Sequence, residues 1–177
     1  MSSPERIASA LLREFGVGVP PVDVLEVARK LGIRVELADL GDDDCSGMLV
    51  RGEAGAVIGV NYTHSANRQR FTIAHEIGHF RMHEGGTYVD RGTTLRFRSS
   101  GKNSGSPTEE KEANQFAAAL LMPAAWIRAE VQKHAIDLGD DDEMTQLCAR
   151  FGVSTQAMVY RLTNLGVFDE RIVAAST

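Results

Sequence analysis

The sequence predicts an α+β fold in which helices enclose one small sheet. Three observations carry that expectation. Apolar residues recur at helical spacing over residues 5–15, 67–83, 108–121 and 155–165. Period-two alternation at residues 33–37 and short apolar runs at 48–50 and 56–60 about a Gly-containing turn read as strands. The order of elements, helices then strands then helices, separates the two kinds instead of alternating them as βαβ units.

Taken in order, Ile7, Ala8, Leu11, Leu12 and Phe15 form one helical face, and Gly16 stops it. Pro20 and Pro21 are expected to open a second helix carrying Val24, Leu25, Val27, Ala28 and Leu31, ended by Gly32. Ile33, Val35 and Leu37 alternate as a strand, and Gly41–Asp44 reads as an acidic turn. Met48–Val50 and Ala56–Val60 flank Gly52-Glu53-Ala54-Gly55 as a hairpin. The helix over 67–83 is stopped by Gly85-Gly86. Beyond it Val89 and Leu95–Phe97 suggest short strands, and Ser99–Pro107 a mobile loop. A helix follows over 108–121, and Pro123 opens another carrying Trp126 and Ile127. Asp137–Glu143 is a second acidic connector, near which the chain divides into a core of residues 1–130 and a helical appendage of residues 131–177.

Length and composition bound the function. A chain of 177 residues is one ordinary domain with a small appendage, leaving no room for a further sensory domain. Hydrophobic residues make up 43% and charged residues 24%, which excludes the disordered and fibrous classes. A net charge of −5 argues against a general nucleic-acid binder. Cys45 and Cys148 lack paired spacing, so neither a disulfide framework nor a cysteine zinc site is expected. The longest apolar run, residues 116–127, contains Pro123 and is too short to span a bilayer. With no signal-peptide pattern at the N-terminus, a cytoplasmic location is expected.

His75-Glu76-Ile77-Gly78-His79 is the most informative stretch. Positions i and i+4 share a helix face, so His75 and His79 can reach one Zn²⁺ ion. Glu76 stands beside them as general base. Phe71, Ile73, Ala74, Ile77, Gly78 and Phe80 surround the motif with apolar residues, and buried imidazoles and a carboxylate need partners. His83 lies about 12 Å along the axis from His75, too far for one straight helix to wrap three histidines around an ion. It is expected to support the ligands rather than join them. Metzincin spacing would place a third histidine at position 85, which is Gly85.

The third ligand is therefore sought among Glu109, Glu110 and Glu112. Relative to the apolar face of Ala113, Phe116, Ala117, Leu120 and Leu121, Glu110 falls roughly 50° from the centre and Glu112 about 110° away. Glu109 matches Glu110 in angle but sits nearer the frayed end. Periodicity favours Glu110 and leaves the other two as alternatives. Asn114, one turn beyond Glu110, is placed to hydrogen-bond a ligand histidine.

Two long segments, Asn67-Arg68-Gln69-Arg70-Phe71-Thr72-Ile73-Ala74-His75-Glu76-Ile77-Gly78-His79-Phe80 and Glu110-Lys111-Glu112-Ala113-Asn114-Gln115-Phe116-Ala117-Ala118-Ala119-Leu120-Leu121-Met122-Pro123, resemble the signature of the ImmA/IrrE family of metallopeptidases. Val19–Asp23, Ser46-Gly47 and Ile58–Asn61 resemble further family patterns. The resemblance implies a zinc-dependent endopeptidase with a zincin-like, thermolysin-like core in which the motif helix packs on a small sheet. It also implies Glu110 as third ligand, since the family's ligand precedes the Ala-Asn pair by three residues. Family members act on helix-turn-helix transcriptional repressors, so the resemblance implies such a repressor as protein partner and substrate. The alternative is a regulatory module that binds a repressor around a structural metal without cutting it.

Three further expectations concern the surroundings. Residues 144–165 read as helix, Gly-containing turn and Ser-capped helix, a helix-turn-helix-like pair. Only Arg161 on its second helix is basic and Asp140–Glu143 precede it, which disfavours direct DNA contact. The strand 56–60 is a candidate edge for an extended substrate, and His64, Tyr62, Tyr88 and His134 are candidate oxyanion donors. Arg91–Lys102, with four basic residues, is read as a solvated loop rather than a substrate gate.

Overall fold

The computed structural model describes residues 3–41, 45–84, 87–90, 106–134 and 136–167. Helix α1 (Pro4–Glu14) buries Ala8, Leu11 and Leu12, and Gly16 turns the chain away with φ +67°. Pro20 and Pro21 do not open the second helix. Helix α2 (Val24–Lys30) starts after Asp23, whose carboxylate accepts the backbone N–H groups of Leu25 and Glu26, both at 3.0 Å. A capping carboxylate satisfies first-turn donors that proline cannot, so the start moves to the aspartate.

Four strands form one sheet: β1 (Ile33–Ala38), β2 (Gly47–Gly52), β3 (Gly55–Asn61) and β4 (Thr87–Asp90), in the order β1-β3-β2-β4. β2 and β3 make the expected hairpin with a shorter turn, and β1 joins β3 in parallel, Val35 opposite Ile58. The strand 56–60 is therefore central, its ladder occupied on both sides, and the expectation that it offers an edge is overturned. β4 includes the predicted Val89 and pairs antiparallel with β2. Leu95–Phe97, residues 99–105 of the expected loop and Arg91–Lys102 lie outside the described residues. One face of the sheet is covered: Ala56, Ile58 and Val60 on β3 and Leu49 on β2 are buried, while Arg34, Glu36 and Val50 are exposed.

Helix α3 (Ala66–Met82) lies on the covered face, against α4 (Pro107–Leu121). Two glycines set these approaches. A Cβ at Gly47 would stand 2.4 Å from Thr72 Cγ2 and 2.9 Å from the Gly59 carbonyl oxygen, so the start of β2 can meet α3 only without a side chain. A Cβ at Gly78 would stand 3.1–3.3 Å from Phe116 and Ala113, at the contact of α3 with α4. Arg51 closes the end of α3, donating to the carbonyls of His79, Phe80 and His83 at 2.9–3.0 Å. A guanidinium there satisfies orphan carbonyls and opposes the negative end of the helix dipole.

Helix α5 (Ala124–Lys133) follows Pro123 as expected. The second acidic stretch is partly helical: Asp140 caps α6 (Asp141–Phe151), which starts three residues before Met144 because acidic residues suit a first turn. Gly152, at φ +64°, ends α6, and Ser154 caps α7 (Thr155–Asn164). Leu147, Phe151, Met158 and Leu162 on these helices belong to the same apolar cluster as Leu11, Ile58, Ile77 and Phe116. Arg70 on α3 reinforces the junction by donating to the carbonyls of Val22 and Gly152 at 2.9 and 3.0 Å. Among the described residues no helix is long and apolar enough to cross a membrane.

Candidate metal centre

Ser65 caps α3 and the apolar residues around the motif bury it, so His75, Glu76 and His79 all lie inside the protein. The two Nε2 atoms of His75 and His79 are 3.0 Å apart, which the i, i+4 spacing anticipated. Glu110 enters from α4: its Oε2 is 3.3 Å from His75 Nε2 and its Oε1 3.4 Å from His79 Nε2. The other glutamates are engaged elsewhere. Glu109 completes a capping box with Ser106, its carboxylate accepting the Ser106 N–H at 2.6 Å. Glu112 faces His83, Oε2 to Nε2 at 3.1 Å.

Asn114 Oδ1 lies 3.0 Å from His75 Nδ1. A carboxamide oxygen only accepts, so His75 carries its proton on Nδ1 and turns a bare Nε2 lone pair toward His79 and Glu110. His83 caps α3 in an extended conformation, with its Nδ1 3.0 Å from His79 Nδ1. It thus meets the far nitrogen of His79 and lies outside the group formed by His75, His79 and Glu110. Glu76 is fully buried, its Oε1 3.8 Å from the position a Gly47 Cβ would take, beneath the start of β2.

The donor set fits a small tetrahedral cation. With metal–ligand bonds of about 2.0–2.2 Å, neighbouring tetrahedral ligands stand roughly 3.3–3.5 Å apart. The observed separations are 3.0, 3.3 and 3.4 Å. The electrostatics agree. Burial would raise the Glu110 carboxyl, but its contacts with the His75 and His79 rings outweigh it and bring its pKa to about 2. Burial is also the main cause that lowers the pKa of His79, keeping it neutral and ready to donate a lone pair at pH 7.

The remaining candidates are placed as follows. Tyr62 is 54% exposed, its hydroxyl 3.4 Å from Asp39, and the carbonyls of Tyr62 and His64 both accept from Gln69. Tyr88 occupies β4 opposite Leu49. His134 lies in a 340 Å³ cavity between α5 and α6 with Glu130 and Arg150, none of whose lining residues belongs to the His75–His79–Glu110 group, so nothing brings it to the candidate centre. Periodicity missed the pairing of Glu112 with His83. The four-residue step from His79 to His83 was the available signal, but the reach of a residue just beyond a helix end depends on where the next helix lies.

No curated protein matches the chain. A solved structure, a Mycobacterium tuberculosis transcriptional regulator, superposes with a TM-score of 0.62 at 17% identity. The match covers 90% of this chain but 46% of that one, so the chain spans about half its length, and the likeness is one of fold. The family described as IrrE N-terminal-like domain (Peptidase_M78) matches residues 28–163, which hold every residue of the candidate centre. The chain belongs to that peptidase family.

Proposed function

We propose that the protein is a zinc-dependent endopeptidase of zincin-like architecture whose substrate is a helix-turn-helix transcriptional repressor, cut to relieve repression. The observation that carries the reading is the convergence of His75 Nε2, His79 Nε2 and the Glu110 carboxylate, with Glu76 buried beside them. These three residues would hold the ion. Zinc, when bound, supplies Lewis acidity, lowering the pKa of water and polarising a carbonyl. Glu76 takes the proton of the attacking water and delivers it to the leaving amine. Asn114 holds the His75 ring in the tautomer that leaves Nε2 bare. An extended substrate adds at β4, the outermost strand beside β2 among the described residues, since Asp90 pairs with Gly47 next to Glu76.

In this reading residues 1–130 carry the chemistry, and residues 131–177 are an appendage whose described helices pack instead of reading DNA. The fate of Arg161 supports that assignment. It is buried, donates to the Met122 carbonyl at 2.9 Å, and holds Glu5 of α1 through two contacts of 3.0 and 2.6 Å. A guanidinium so occupied is not offered to phosphate.

The test is to incubate zinc-loaded wild type and a Glu76→Gln variant with the product of a neighbouring repressor gene and look for fragments. Fragments from the wild type alone are expected. Cleavage by both proteins, or by neither, contradicts the mechanism, and binding without cleavage favours the regulatory module.

A further inference from the structure

Helix α4 contributes Glu110 to the candidate centre, but it also reaches both histidines from behind. Asn114 does so directly at His75. At His79 the contact runs through an intermediary: Glu112 Oε2 is 3.1 Å from His83 Nε2, and His83 Nδ1 is 3.0 Å from His79 Nδ1. We propose that Glu112 and His83 form a relay that positions His79, fixing which of its nitrogens faces the metal; this rests on the assignment of His75, His79 and Glu110 as ligands.

The proton positions follow from the donor inventory. A carboxylate only accepts, so the proton of His83 sits on Nε2 and is donated to Glu112. With that proton on Nε2, His83 Nδ1 is the acceptor of its contact with His79. With an ion on its Nε2, the opposing His79 Nδ1 carries the proton of that hydrogen bond, and the contact holds the ring with Nε2 turned toward His75 Nε2 and Glu110. One tautomer propagates from the surface-accessible carboxylate to the buried ligand. Carboxylate–histidine–metal arrangements work in the same way with one fewer link.

The relay also accounts for details that a spare surface pair would not need. His83 is buried at the end of α3, and its carbonyl is held by Arg51, which fixes the backbone from which the ring folds back. The rings of His79 and His83 are 5.0 Å apart at 58°, so they meet through nitrogen atoms rather than by face-to-face stacking. Glu112 stands two residues from Glu110 and two from Asn114. A single helix thus carries one ligand and the orienting group for each of the other two.

The experiment measures zinc affinity by chelator competition, and histidine tautomers by ¹⁵N NMR of the zinc-loaded protein, for wild type, Glu112→Ala, Glu112→Gln, His83→Ala and the double alanine variant. Removing such an orienting group costs roughly 10–100-fold in metal affinity. Both single alanine variants are expected to weaken zinc to that extent, and the double variant no more than either. Glu112→Gln should recover most of the loss, because a carboxamide oxygen still accepts from His83 Nε2. The wild type should show His83 protonated on Nε2, and Glu112→Ala a mixture of His83 tautomers. Alanine variants within about twofold of wild type, or His83 protonated on Nδ1 in zinc-loaded wild type, would overturn the relay. A wild type that binds no zinc at all would instead overturn the metal-centre reading on which it stands.

Discussion

Replacing Gly47 by alanine tests the contact that seats the motif helix under the sheet. The added Cβ would lie 2.4 Å from Thr72 Cγ2 and 2.9 Å from the Gly59 carbonyl oxygen, where ordinary contact begins near 3.4 Å. The methyl contact must therefore open by about an ångström, and the second neighbour is backbone in a central strand and cannot swing away. Overpacking typically costs about 1–3 kcal/mol, and two contacts this short place Gly47→Ala near the upper end. For a chain of this size that is a fall in Tm of roughly 6–12 °C. Thr72→Ser removes the offending methyl. On its own it should cost about 1 kcal/mol for a lost buried methyl, but in the Gly47→Ala background it should restore about 1–2 kcal/mol. Thermal or urea unfolding of the four proteins completes a double-mutant cycle. Costs that simply add, with no rescue, would refute the steric account.

Three further outcomes follow. Gly78→Ala sets an overpacking cost of about 1–3 kcal/mol against a helix-propensity gain of about 1 kcal/mol, so stability should fall by roughly 0–2 kcal/mol while zinc affinity drops, because α3 and α4 separate with their ligands; calorimetry and chelator competition read the two effects, and unchanged affinity would contradict it. The zinc-free protein should lose stability as pH falls below 6.5, since the depressed His79 pKa means the unfolded chain takes up that proton first, and the loss continues down through the folded-state pKa. Glu110, ionised down to about pH 2, adds nothing in that window, and melting curves that rise on acidification from pH 7.5 to 5.5 would contradict the assignment. Arg161→Ala should cost about 1–3 kcal/mol by stranding the buried Met122 carbonyl and releasing half-exposed Glu5, yet leave zinc affinity unchanged; the same two measurements check it.

Local signals were enough for much of the fold and for the grouping of His75, His79 and Glu110. The motif helix, the Glu110 helix and the β2–β3 hairpin are written in periodicity, caps and turn residues a few positions apart. Glu110 could be chosen over Glu112 because the apolar face of one helix fixes which carboxylate turns inward. What escaped local reading was set by distant partners. Nothing near Ala56–Val60 announces that β1, some twenty residues earlier in the chain, pairs with it in parallel and turns an expected edge into the centre of the sheet. α2 starts after Asp23 and not at the prolines, because the Asp23 carboxylate accepts the first-turn N–H groups. The Glu112–His83 pair depends on how two helices lie against each other, which no single-helix periodicity contains. Gly47 and Ser46 stood out only through family resemblance. Their physical reasons, a close approach to Thr72 and a hydrogen bond from Arg68 at 2.8 Å, needed the packed structure.

The central claim is that one zinc ion is held jointly by α3 and α4, with Glu76 beside it and outside its ligand set. Zinc-edge X-ray absorption on stoichiometrically loaded wild type, Glu76→Gln and Glu110→Gln measures this most directly. The account predicts two imidazole nitrogens at roughly 2.0–2.1 Å in all three proteins, with light oxygen ligands completing the shell. The wild-type spectrum should persist in Glu76→Gln, whereas Glu110→Gln should show a changed oxygen shell and weakened binding. A spectrum altered by Glu76→Gln and untouched by Glu110→Gln would contradict it.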